Sequence, residues 1–312
     1  MRTGWLALAG LLSLFCDPAL AQEADWLKAI ALDSAGKHTQ AMKIYDRLVD
    51  EPAYRYKALM ARSMIEFSDQ GRFDEAFADI GAAMALEPDS VAPYLNRGSM
   101  YLDLRMPERA LSDLEQGLKH CRNASDSSSI YMNLGAGHTM VRQFDKALYA
   151  LERSVQLDPT NYGARSNLAT VLNDMGRDEE AYAIYIALYE EDTTEVFILN
   201  NLGFLESNRG AHQEAIKWFT KATALLPSDP VVLNNLGFAQ YEAGNTEEAL
   251  KNVRRSIKLG PGNSYAYRNL GIILQSKGEV AEACTAYESA LRLGFTDQYG
   301  PEVADLRKTN CK

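Results

Sequence analysis

The chain has 312 residues, 46% of them hydrophobic, with ten prolines and a formal net charge of -10. That length accommodates either two globular domains or one long array of small units. The acidic balance, with a pI of about 5.0, removes the electrostatic support that a general affinity for nucleic-acid phosphates or anionic lipid requires.

Residues 1–21 read as a secretory leader. Arg2 precedes the apolar run Trp5 to Phe15, and Ala19-Leu20-Ala21 places small residues at both positions a signal peptidase reads. The run is too short to span a bilayer comfortably, and no later stretch approaches the roughly 20 apolar residues of a membrane helix. The expected product begins near Gln22 and is exported, periplasmic or secreted. Cys16, followed by Asp17, offers the alternative of an outer-membrane lipoprotein, but Phe15 stands where such signals usually carry a small residue.

Beyond the leader, Ala41, Ala76, Ala110, Ala147, Ala181, Ala215, Ala249 and Ala283 stand 35, 34, 37, 34, 34, 34 and 34 residues apart. A period near 34 marks stacked helix pairs, each too small to bury its apolar face without its neighbours. The predicted pairs run 22 to 55, 57 to 90, 91 to 124, 128 to 161, 162 to 195, 196 to 229, 230 to 263 and 264 to 297. Repeats 1–3 thus occupy 22–124 and repeats 4–8 occupy 128–297. Gly36, Gly71, Gly176, Gly210, Gly244 and Gly278 end first helices as left-handed caps, with Arg105 and Arg142 in the two remaining places. Pro52, Pro88, Pro159, Pro227 and Pro261 stop second helices. Gly98, Gly135, Gly203, Gly237 and Gly271 fall inside first helices, where glycine costs about 1 kcal/mol against alanine. A close approach to the recurring alanine of the partner helix would compensate. The 37-residue interval places three extra residues, 125–127, in a loose joint at His120 to Ser129, the candidate hinge.

Tyr131-Met-Asn-Leu-Gly135 with Phe144, Ala147, Leu151 and Pro159 resembles a tetratricopeptide repeat. So do Leu199-Asn-Asn-Leu-Gly203, Leu233-Asn-Asn-Leu-Gly237 and Tyr267-Arg-Asn-Leu-Gly271 with the residues that follow them. The resemblance, of an exported bacterial type, implies an all-α, right-handed α-solenoid of about eight stacked helix-turn-helix repeats with a C-terminal capping helix in 298–312. Pro301 to Asn310 would run back antiparallel to the last helix. Cys311 would then meet Cys284 in a disulfide, leaving Cys121 without a mate and most simply a free thiol.

Members of this family bind extended peptides or partner helices on the concave face lined by first helices. On that face Asn96, Asn133, Asn167, Asn201, Asn235 and Asn269 form a ladder whose amides can donate to and accept from a peptide backbone. Alternatively they only satisfy neighbouring backbone groups. Asn200 and Asn234 double the ladder in the last repeats, and Phe197, Phe204, Phe238, Tyr241 and Tyr265 flank it. Arg62, Arg165 and Arg268 are too far apart for a two-carboxylate clamp, although Arg268, beside Asn269, can meet one acidic group.

His38, His120, His138 and His212 are scattered, and no metal-spaced cluster, nucleophile elbow or phosphate loop appears. No catalytic residue, metal, cofactor or small-molecule substrate is expected. The favoured function is a protein-protein interaction scaffold, an adaptor in an envelope assembly such as a pilus, secretion or wall-remodelling machine. A periplasmic chaperone or targeting factor for extended segments, and the regulatory subunit of an envelope hydrolase, are the alternatives.

Overall fold

The computed structural model describes residues 18–311, and every regular element among them is helical. Most of the expected leader, with Cys16, lies outside the described residues; Pro18 already opens the first helix. The chain divides between Ala164 and Arg165 into two compact units. The N-terminal unit holds α1 (Pro18–Ser34), α2 (His38–Leu48), α3 (Arg55–Ser68), α4 (Phe73–Leu86), α5 (Ala92–Asp103), α6 (Pro107–Leu118), α7 (Ala124–Met140) and α8 (Phe144–Leu157). The division cuts the start of α9 (Tyr162–Asp174). The C-terminal unit continues with α10 (Asp178–Glu191), α11 (Val196–Asn208), α12 (His212–Leu225), α13 (Pro230–Glu242), α14 (Thr246–Leu259), α15 (Ser264–Ser276) and α16 (Val280–Arg292). It closes with the short α17 (Phe295–Tyr299) and α18 (Glu302–Asn310). Within each unit, first and second helices pack in pairs, and each pair packs on the next. This is the all-α helical-repeat solenoid that the 34-residue period predicts.

The turns confirm the register of the repeats. All six turn glycines have positive φ, and Arg105 and Arg142 adopt the same left-handed conformation at φ 58° and 57°. The two arginines therefore make the same turn as the glycines, at the steric cost a Cβ carries there.

The joint after the third pair differs from its expectation. Residues 125–127 are the first turn of α7 and not a loop. Asn123 is the reason: its Oδ1 accepts the Asp126 N–H at 2.8 Å, satisfying a donor that a helix start otherwise leaves open. The extra residues lengthen the helix, and the division into units falls at Ala164/Arg165, not at 125–127.

A second correction concerns the glycines inside first helices. The recurring alanines are buried as expected, and a Cβ on Gly237 would lie 3.0 Å from the backbone of Ala249, but all five glycines meet most closely the residue one turn beyond the alanine. A Cβ on Gly98, Gly135, Gly203, Gly237 or Gly271 would lie 2.7, 2.4, 2.7, 2.7 or 2.4 Å from Leu114, Leu151, Phe219, Val253 or Tyr287. Each of these bulky residues follows its alanine by four positions and so shares its helix face. The alanine lets the helices cross closely; the glycine makes the hole that the larger side chain fills.

The last pair carries the cap. Cys284 on α16 and Cys311 after α18 form a disulfide with 5.7 Å between their Cα atoms. Val303 of α18 is fully buried in the core of the last repeats with Tyr287, Ala290 and Phe295. Cys121 is a free, half-buried thiol, which burial pushes above its usual pKa.

Candidate functional site

In the C-terminal unit, first helices α11, α13 and α15 lie side by side, because each short turn returns the chain to the same face. Their facing amides join in one direction. Arg268 Nη1 donates to Asn269 Oδ1 at 2.8 Å, and Asn269 Nδ2 to Asn234 Oδ1 at 3.0 Å. Asn234 Nδ2 donates to Asn235 Oδ1 at 3.3 Å, and Asn235 Nδ2 to Asn200 Oδ1 at 3.0 Å. A guanidinium can only donate, so Arg268 turns the oxygen of Asn269 toward itself and its Nδ2 toward Asn234. The same polarity passes along to Asn200.

Arg268 is itself held on every side. Its guanidinium meets the Glu302 carboxylate of α18 through Nη2 and through Nε at 3.2 Å. It stacks 5.0 Å from the Phe238 ring and 5.5 Å from the Tyr265 ring. The acidic group it meets therefore belongs to its own chain. Arg62 and Arg165 are likewise matched, to Asp79 and to Glu191.

The rest of the asparagine ladder behaves differently. Asn133 Nδ2 donates to the Ser129 carbonyl and Asn201 Nδ2 to the Phe197 carbonyl, both at 2.9 Å, each binding its own helix one turn back. Asn96 and Asn133 line a cleft of about 530 Å³ in the N-terminal unit, with Met64, Phe67 and Met132. Asn167 is half-buried on α9. The structure thus connects Asn235 and Asn269 across repeats only through the doubling residues Asn200 and Asn234.

Two clefts open over the amides in the C-terminal unit. One, of about 320 Å³, is lined by Phe204, His212, Asn235, Phe238, Arg268 and Asn269 among others. The second, of about 590 Å³, lies beside it and shares Phe204, Asn235 and Tyr265. Phe197 and Phe204 are exposed, Phe238 is half-buried, and Tyr241 packs 5.9 Å from Phe238. Glu302 escapes sequence reasoning, since nothing in a short terminal helix marks one carboxylate as the partner of an arginine 34 positions earlier. The same is true of Glu66 and Asp79, buried beside Arg62. Among the described residues no group of three or more His, Cys, Asp or Glu is placed to hold a metal ion, and no helix is long and apolar enough to cross a membrane.

Comparison with known proteins agrees with this architecture. Family models described as tetratricopeptide repeat match residues 140–196 and 235–297. Protein O-mannosyl-transferase TMTC3 of Homo sapiens is 26% identical over 51% of this chain and 17% of its own length. TPR repeat-containing thioredoxin TDX of Arabidopsis thaliana is 33% identical over 31% of this chain and 25% of its own. The chain thus spans a quarter or less of these relatives. Among solved structures, that of the APC/C hetero-tetramer Cut9-Hcn1 superposes with a TM-score of 0.70 at 15% identity, covering 97% of this chain and 58% of that one, a likeness of fold. With two matched segments, a 34-residue period and paired helices in both units, the chain carries tetratricopeptide repeats.

Proposed function

We propose that this chain is a non-catalytic interaction scaffold that receives a peptide segment or a partner helix in the groove of its C-terminal unit. The observation that carries the reading is the cleft where Phe204 and Phe238 stand over the amides of Asn235 and Asn269. Aromatic walls supply apolar anchoring at low conformational cost, and amides supply donors and acceptors for a backbone. The leader-like start of the sequence supports service in a bacterial envelope, as an adaptor in a pilus, secretion or wall-remodelling assembly.

The test is a photoreactive residue in place of Phe238, cross-linked in the native envelope, with Asn234→Ala and Asn235→Ala together as control. One dominant captured protein, lost in the control, is the result expected of an adaptor. Many unrelated captures would replace it with a chaperone, and capture of a single hydrolase would make the chain a regulatory subunit. An empty cross-link would move the binding surface elsewhere.

A further inference from the structure

The amides that join α15, α13 and α11 contain nothing that chooses their own direction. Each contact, Asn269 with Asn234, Asn234 with Asn235 and Asn235 with Asn200, pairs one N–H with one oxygen. It would do the same if every amide in the row were turned over. The row therefore has two complete arrangements, one donating toward α11 and the other toward α15. A mixed row sets two oxygens or two N–H groups face to face. Asn234 and Asn269 are 2% and 1% exposed, so water cannot repair such a mismatch, and each buried unpaired group is costly.

The choice is made at one end. Arg268 has no acceptor, and its Nη1 faces Asn269 Oδ1. The rest of the guanidinium is engaged. Nε and Nη2 hold the Glu302 carboxylate, Phe238 and Tyr265 stand beside it, and the arginine side chain is only 14% exposed. Glu302 thereby aims Nη1, and Nη1 admits one arrangement of the row.

The outcome is displayed at the other end. Asn200 accepts from Asn235 through Oδ1, which turns its Nδ2 away from the row. Asn200 is half-buried, and its Nδ2 has no acceptor among the described residues, leaving an N–H open to solvent. The reversed row would display Oδ1 there instead. Arg268 and Asn200 stand two helix-to-helix steps apart, about 16–20 Å.

We propose that Arg268, aimed by Glu302 of the cap, is a positioning residue that fixes the direction of the whole amide row and makes Asn200 a hydrogen-bond donor on α11. The row is a two-state element biased from the cap, and such an element couples its two ends reciprocally. A charge pair on α15 and α18 thus decides whether a side chain two repeats away offers a donor or an acceptor. This goes beyond the groove reading and does not rest on it, since it concerns the chain alone.

The test is nuclear magnetic resonance on the full chain with isotope-labelled asparagine, reading solvent exchange of each side-chain amide. Asn235 and Asn200 are both half-buried, so a contrast between them reports bonding. In the parent, the slower Nδ2 proton of Asn235 should exchange at least about tenfold more slowly than either proton of Asn200. Arg268→Lys, still a donor without an acceptor, should preserve that contrast. Arg268→Met neither donates nor accepts and frees the row to take both directions, so Asn200 should slow by up to about twofold. Arg268→Glu with Glu302→Arg, which places an acceptor without a donor at the head of the row, should slow Asn200 about tenfold.

Slowing is the informative sign, because a merely structural ion pair loosens its surroundings when removed and can only accelerate exchange. Equal rates for Asn235 and Asn200 in the parent overturn the inference without any substitution. So does an Asn200 rate that neither Arg268→Met nor the charge exchange slows in chains whose thermal melts show them folded, or an Arg268→Lys chain in which Asn200 slows as much as it does with methionine.

Discussion

At the scale of single residues, the N-terminal unit carries a buried acid that its later counterpart does without. Glu66 is 4% exposed. Its Oε1 accepts from Arg72 at 3.0 Å, and its Oε2 is buried with no partner. Burial, reinforced by nearby Asp79, raises its pKa above the ordinary carboxylate value. A folded-state pKa above the unfolded one means that the folded chain binds the proton more tightly. The resulting stability is fully present below the unfolded pKa and is lost as pH rises through the folded one. Glu66→Gln keeps an acceptor for Arg72 and removes that loss. The variant should melt a few degrees higher than the parent at pH 7, with the gap closing toward pH 4. Calorimetry across this range decides it, and a gap that widens on acidification would show that the ion pair with Arg72 outweighs burial.

At the scale of elements, the short α18 is too small to hold itself in place and depends on three attachments. Val303 is buried in the last repeat, Arg307 reaches Glu288 at 2.8 Å, and the disulfide closes the loop from Cys284 to Cys311. For a sequence separation of 27, the chain-entropy model assigns the link about 3.5 kcal/mol. Because α18 also presents Glu302 to Arg268, the paired variant Cys284→Ser with Cys311→Ser should do more than lower the melting temperature. Amide exchange should accelerate through α18 and along the groove face of α15, while α11 and α12 keep their protection. Unchanged exchange at α15 would mean that Val303 and the ion pairs of Arg307 and Glu302 hold the cap without the disulfide.

How much of this was legible depends on the distance over which each feature is determined. The helix pairs follow from a local rule repeated eight times, so the alanine and glycine positions sufficed to locate them. The pairing of Gly271 with Tyr287 did not, because the period says which residues are equivalent and not which of two neighbours on one face fills the hole. The helical conformation of 125–127 is within reach of the sequence: Asn123 with Asp126 three residues later is a helix-start signal at the edge of a run of serines. The asparagine ladder was visible as a row of amides, but its direction depends on Arg268, and that in turn on Glu302 in a different helix.

At the scale of the whole molecule, two compact units with their own cores imply that damage stays where it is made. In a repeat array, stability is approximately a sum of repeat and nearest-neighbour terms. Gly271→Ala is a clean probe of this. The new methyl would stand 2.4 Å from a ring carbon of Tyr287, which is fully buried and tied through its hydroxyl to Gln275 at 2.6 Å, so the ring cannot swing aside. Overpacking of this kind costs about 1–3 kcal/mol, against which alanine's better helix propensity returns about 1 kcal/mol. The net loss should appear as faster exchange in α15, α16 and α18 and a lowered first melting step, with α3 to α6 exchanging at parental rates. Uniform acceleration through both units would instead make the chain one cooperative body.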